Sequence, residues 1–243
     1  MSNKLQYNTK PYQGKGLLIA IIASIPEKKM RSVGSGLIQK IGNDKNSKTI
    51  IEHQTELFKK FLPMAKICIA TAFDSKKVIK AIPRGIKYVE HEFNNNVNQG
   101  YSLYRVLESF DCQNLLIING NHIFDKKTIA SLTYKNSFIL ANKNQKEHDL
   151  GCVLNANGII QHVFFDLENK LYEFIFLSKQ DTTKLKNIIT TLNYKNMFLF
   201  EIINELINNE CHIEYKILLK DNIVVYNNIS KIKLIKRILY AKN

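Results

Sequence analysis

Residues Leu115–Asp125 read as an apolar strand, Leu115–Asn119, running into a Gly120-Asn121 step. A short run without polar alternation needs burial on both faces, which a strand obtains inside a parallel sheet covered by helices. In such sheets ligands bind beyond the carboxyl ends of the strands, and a glycine there lets backbone pass close to them. The Gly120-Asn121 step is therefore the first place to look for a site. A Mg²⁺ riding on phosphates would need anionic oxygen ligands at this edge, where Asn121 offers a neutral amide.

The rest of the first half repeats the strand pattern at Leu17–Ala23, Lys66–Thr71 and Ile86–Glu90. Between these runs lies Thr49–Leu62, with apolar residues at Ile50, Ile51, Leu57, Phe58 and Phe61 and a stop at Pro63. A short helix opened by Asp74 as N-cap carries Val78 and Ile79, and a further helix spans Gly100–Phe110. Strands alternating with amphipathic helices make βαβ crossovers, so the expected fold is α/β, a mostly parallel doubly wound sheet with helices on both faces. The second half reads as a mixed β extension with strands at Phe138–Asn142, Gly151–Leu154, Ile159–Phe165 and Tyr172–Leu177, with Asn157-Gly158 as a hairpin turn. Helices near Asp181–Leu192 and Phe198–Asn209 follow, then a strand pair, Ile213–Leu219 and Ile223–Tyr226, and a closing helix from Ser230. The expected organisation is one domain over 1–243, with an N-terminal extension at 1–15 and two halves, 16–142 and 143–243.

At 243 residues and 45% hydrophobic composition the chain can bury a substantial core. Leu17–Ala23 is too short to span a bilayer and the polar segment before it lacks a signal-peptide layout, so a cytoplasmic protein without a membrane partner is expected. Cys68, Cys112, Cys152 and Cys211 are widely separated with no CxxC pair, and read as buried reduced thiols rather than a disulfide frame or zinc site. A formal charge of +14 favours polyanionic partners, nucleotide or nucleic acid. It is equally what a Lys-, Asn- and Ile-rich composition yields from AT-rich coding. The final segment places apolar Ile232, Ile235, Ile238 and Leu239 among Lys231, Lys233, Lys236 and Arg237. That pattern is an amphipathic helix with a basic face, and those four cations are the polyanion-binding candidates.

Several segments together resemble sugar nucleotidyltransferases, the group that includes phosphocholine cytidylyltransferases and relatives carried by bacteria and bacteriophages. They are the apolar first strand with a basic loop, Leu37-Ile38-Gln39-Lys40-Ile41-Gly42, Thr49-Ile50-Ile51-Glu52-His53-Gln54, the strand Ile67–Thr71, the spacing of Asn98 to Ser102-Leu103, and Gly120 before Phe124. The resemblance implies a GT-A-type nucleotide-binding fold with 16–142 as the nucleotide-binding half and 143–243 as the acceptor half. It implies transfer of a nucleotidyl group from an NTP to a phosphorylated sugar or phosphocholine, with Mg²⁺ as cofactor if the chain is active. It also places Ala23, Ser24, Lys28, Asn98, Ser102, Gly120 and Asn121 at the nucleotide, and gives Lys29 the catalytic basic position.

The chain departs from the family where the chemistry is expected. The Gly-rich loop after the first strand is Ser24-Ile25-Pro26-Glu27-Lys28-Lys29, with Ile25 and Glu27 at its two glycine positions, although Val33-Gly34-Ser35-Gly36 offers an alternative phosphate loop. The two metal-binding acids fall on Asn121 and on Asn227 or Tyr226, which leaves no expected metal ligand of the usual kind. Asp125 reads as a helix N-cap, and Asp166 and Asp221 as turn residues. His53 and His122 could contact a ligand or simply pack, and Asn94-Asn95-Asn96 with Asn98 could read a base edge or simply form a loop. The expectation is a catalytically degenerate relative kept as a binding or structural module, with a protein assembly partner. The alternatives are an active Mg²⁺-dependent nucleotidyltransferase and a basic nucleic-acid-binding or assembly protein.

Overall fold

A computed structural model describes residues 12–24, 34–41, 47–93, 98–142, 149–191, 196–218, 223–227 and 235. Its first half is built on four strands, β1 (Leu17–Ala23), β2 (Lys66–Thr71), β3 (Lys87–Glu90) and β4 (Asn114–Asn119). The chain then adds β5 (His122–Phe124), β6 (Phe138–Ala141), β7 (Leu150–Leu154), β8 (Ile160–Phe165), β9 (Asn169–Leu177), β10 (Glu214–Lys216) and β11 (Ile223–Val225). The helices are α1 (Ile50–Phe61), α2 (Ser75–Ala81), α3 (Gln99–Ser109), α4 (Lys126–Ala130), α5 (Lys179–Ile189) and α6 (Leu199–Asn208).

The main sheet runs β10-β6-β9-β4-β1-β2-β3, with the hairpin β7–β8 attached through β9. Strands β4, β1, β2 and β3 pair in parallel, as do β10 and β6, while β9 enters antiparallel between β4 and β6. The doubly wound, mostly parallel sheet expected from the sequence is thus present, with β4 in the middle of the path. Leu115–Ile118 have no exposed surface. Strand β1 is apolar at every position because its alternate residues serve two cores. Leu17, Ile19 and Ile21 pack with Ile50, Ile51 and Phe58 of α1, whereas Leu18, Ala20 and Ile22 pack with Leu103 and Val106 of α3 and with α5 and α6.

Local chemistry sets the helix boundaries. Thr49 and Glu52 form a reciprocal capping box at the start of α1, Thr49 N donating to Glu52 Oε2 at 2.7 Å, and Pro63 follows its end. Asp125 caps α4 by accepting from Thr128 N at 2.8 Å, as expected. Two expectations need correction. Asp74 precedes α2 but makes no side-chain cap to it, because its carboxylate is turned toward the segment at Ser35. The last two strands do not pair with each other: β10 joins β6 in the main sheet, and β11 pairs antiparallel with β5 in a separate two-stranded sheet. No helix among the described residues is long and apolar enough to cross a membrane.

Candidate functional site

Four parallel strands end along one edge, at Ala23, Thr71, Glu90 and Asn119. The register sets Ile22 beside Asn119 and Ala23 beside Thr71, and Gly120 N donates to Ile22 O at 2.7 Å. This bond carries the β1–β4 ladder past the last strand residue. A Cβ at Gly120 would stand 3.0 Å from Ala23 Cβ, 3.2 Å from Ile22 O and 3.3 Å from Leu37 Cδ1. The glycine is thus required by close packing of two strand ends.

Ser24, fully buried, and Ser102 of α3 lie 2.6 Å apart, Oγ to Oγ, and Ser102 Oγ is 2.8 Å from His91 Nε2. His91 Nδ1 faces the Glu92 carbonyl at 3.0 Å, so in the neutral ring Nδ1–H donates there and Nε2 accepts from Ser102. Burial holds the His91 pKa below its ordinary value, the Glu92 carbonyl opposes that shift, and nearby Arg105 adds to it. Two sequence-predicted residues, Ser24 and Ser102, are therefore joined, and a third, His91, was missed. The signal was weak: a lone histidine after a short strand, eleven residues before Ser102.

On the other side of β4, Asn119 Nδ2 donates to Glu173 Oε2 at 2.6 Å and Gln99 Nε2 donates to Glu173 Oε1 at 3.1 Å. Gln99 Oε1 accepts from Leu199 N at 3.3 Å, so this network ties α3, β4 and β9 to the start of α6. Asn98 sits at the N-cap of α3 without a capping bond, and its Nδ2 donates to Asn196 O at 2.6 Å. Its amide braces the approach to α6, away from Ser24. Neither Gln99 nor Glu173 stood out in the sequence, because a glutamine in a helical pattern and a glutamate in a strand are ordinary residues there.

Of the two alternatives for the second acid, Tyr226 is the one joined to Asn121. Tyr226 N donates to Asn121 O at 2.8 Å, directly continuing the β5–β11 ladder, and Asn227 follows. A Cβ on Gly36 would lie 3.8 Å from the Tyr226 ring and 3.9 Å from Asn121 Cβ. Asn121 Oδ1 lies 2.8 Å from His122 Nδ1. Below this turn, buried Gln54 donates through Nε2 to His122 O at 2.5 Å and to Gly120 O at 3.4 Å. His122 is buried, and His53 is taken up by the Phe124 carbonyl, 2.7 Å from its Nε2, so both histidines belong to the packing of this turn. Burial lowers the His53 pKa.

These residues do not fit a Mg²⁺ ion. Asn121 and Asn227 are neutral, the Asn121 oxygen is held by an imidazole, and a dication bound with phosphates needs anionic oxygens to offset its dehydration. Among the described residues no group of three or more His, Cys, Asp or Glu side chains is placed to hold a metal. The alternative phosphate loop also fails. Ser35 N donates to Asp74 Oδ2 at 3.1 Å, and a Cβ at Gly34, whose φ is +92°, would meet that oxygen at 2.7 Å. A carboxylate already occupies the place an anion would take. Burial pushes the Cys68, Cys152 and Cys211 thiols up to about 12, so they are inert structural residues. Lys28, Lys29, Ile25, Glu27, Asn94–Asn96, Asp221, Lys231, Lys233, Lys236 and Arg237 lie outside the described residues.

A mostly parallel sheet with one antiparallel insertion and covering helices is a nucleotidyltransferase-like α/β fold. The solved structures agree. The chain is similar to the CTP:phosphocholine cytidylyltransferase of Streptococcus pneumoniae, with a TM-score of 0.70 and 16% identity over 91% of this chain and 98% of that one. The inositol-1-phosphate CTP transferase of T. maritima gives a TM-score of 0.66 and 14% identity over 93% and 98%. A nucleoside-diphosphate-sugar pyrophosphorylase from Vibrio cholerae gives 0.67 and 10% over 90% and 99%. No protein-family model matches the sequence, and no curated protein matches it.

Proposed function

We propose that this protein is a nucleotide-binding module on a nucleotidyltransferase fold that has lost metal-dependent transfer. The reading is carried by the neutral residues Asn121 and Asn227, at the two positions where the resemblance calls for acids: Asn121 lies just past β4 and its carbonyl accepts from the backbone of Tyr226, the residue before Asn227. Ser24, Ser102 and His91, buried and bonded to one another, hold the carboxyl ends of β1 and β3 against α3, and this is the sheet edge at which a nucleotide would bind. A nucleotide would lie over this edge with its phosphates toward the loop after Ser24. Without a bound dication the phosphates keep their charge, and the basic residues of the chain offset it.

The test is pyrophosphate release with each of the four NTPs, Mg²⁺, and sugar 1-phosphates, inositol 1-phosphate or phosphocholine as acceptors, together with nucleotide binding by calorimetry. Binding without release is expected. Robust release would overturn the loss of chemistry, and absence of binding for all four nucleotides would overturn the module.

A further inference from the structure

Charge is divided unevenly over this basic chain. Residues 149–168 hold Asp149, Asp166 and Glu168, residues 196–215 hold Glu201, Glu205, Glu210 and Glu214, and neither stretch contains a Lys or Arg. These two stretches form the hairpin β7–β8 and the helix α6 packed on it. The same surface exposes aromatic rings: Phe164 is 50% exposed, Phe165 44% and Phe198 44%. Phe164 and Phe165 each set an edge against Phe200, with centroids 5.7 and 5.2 Å apart, and Phe198 stacks on Phe200 at 5.8 Å. Half-exposed phenylalanines leave about 100 Å² of ring each in water, so the three form a patch of about 300 Å², enough to mark an interaction site on a monomer.

The opposite end of the sheet is the reverse. Strand β3 is the terminal strand, and with α2 it presents Lys76, Lys80, Arg84 and Lys87, all exposed, beside Tyr88 at 46% exposure. Residues 59–87 hold one acid, Asp74, whose carboxylate is engaged at Ser35 and Lys77, and the four cations outnumber Glu90, exposed at the end of β3. From this complementarity we infer that the acidic aromatic face of β7, β8 and α6 docks on the basic β3–α2 end of a second copy of this chain. Strand addition at Val163 is not the mode, because Asn204 closes that edge, accepting from Val163 N and donating to Val163 O at 2.9 Å each. Side chains make the contact: the phenylalanines form its centre, with cations over ring faces, and the acids form the rim. The patch is less than half of the ~800 Å² that each partner gives to a standard interface, so the association is weak. The contact is head-to-tail, so each copy keeps one free face of each kind and association continues past the dimer.

Sedimentation equilibrium on the full chain tests this, over about 10 to 500 μM, a range suited to weak interfaces of this kind. The weight-average mass should rise above 28.1 kDa with concentration for the natural chain. It should stay monomeric for Phe164→Ser with Phe198→Ser, for Glu168→Lys with Glu205→Lys, and for Lys76→Glu with Lys80→Glu and Lys87→Glu. These sites are exposed except for half-buried Glu205, and circular dichroism verifies that each variant is folded. Mixing the two charge variants recreates the natural contact between the basic end of the first and the acidic face of the second, and their reversed faces also attract, so the mixture should associate although neither variant does alone. A natural chain that is monomeric throughout would overturn the inference. So would association undiminished in the phenylalanine variant, or a mixture that behaves as the sum of its parts.

Discussion

Asp74→Ala isolates the interaction that turns the Gly34-Ser35-Gly36 segment from an anion site into a structural turn. In the folded protein the Asp74 carboxylate accepts from Ser35 N, a group on a residue only 4% exposed, and Asp74 itself adopts a left-handed backbone with φ of 54°. Removing the acceptor strands a buried N–H, which costs about 1–3 kcal/mol. Alanine in a left-handed conformation adds about 1 kcal/mol. The Lys77 partner is 70% exposed, so its ion pair adds no more than about 0.5 kcal/mol. The expected loss is therefore about 2–4 kcal/mol, read as a lower urea midpoint at constant slope. Asp74→Asn keeps both the left-handed preference and an acceptor oxygen and should lose only about 0.5–1.5 kcal/mol, whereas Asp74→Gly relieves the backbone but not the N–H and should lose about 1–3 kcal/mol. A change under about 0.5 kcal/mol for Asp74→Ala, or an asparagine variant as unstable as the alanine one, would refute the reasoning.

Two further outcomes follow from the same geometry. The His91 pKa is lower folded than its ordinary 6.5, so its contribution to stability is fully present above that value and is lost as pH falls through the folded value. Urea curves from neutral to mildly acidic pH should show this loss and His91→Gln should reduce it, with His53 leaving a residual slope; an unchanged pH dependence in the variant would contradict the assignment. Gly120→Ala should cost about 1–3 kcal/mol by forcing a methyl between the ends of β1 and β4, and natural stability in that variant would mean that the strand ends can part.

The sequence made the sheet legible because burial on both faces leaves an unmistakable composition. Leu17–Ala23 and Lys66–Thr71 were delimited to the residue, and Leu115–Asn119 missed only Asn114. Pairing was harder to read. Ile213–Leu219 and Ile223–Tyr226 look like neighbours, yet their short apolar cores are used in different sheets, and nothing local encodes the partner of a three-residue strand. The site divides in the same way. Ser24, Ser102, Gly120 and Asn121 lie at strand ends or on a patterned helix and could be singled out, whereas His91, Gln99 and Glu173 matter through contacts made across 11 to 100 residues of chain. Asp74 shows the limit of a local rule: it stands at the helix start as a cap should, but a buried N–H 39 residues earlier in the chain takes its carboxylate.

The central claim is that Asn121 and Asn227 no longer support a metal, and calorimetry of CTP and UTP with and without Mg²⁺ tests it most directly. For the natural chain, Mg²⁺ should change nucleotide affinity by less than about twofold. Asn121→Asp combined with Asn227→Asp places two carboxylates at the end of the β5–β11 ladder and should gain about tenfold or more in Mg²⁺-dependent affinity, about 1.4 kcal/mol. An affinity that rises about tenfold with Mg²⁺ in the natural chain, and falls back on Asn121→Ala, would contradict the account.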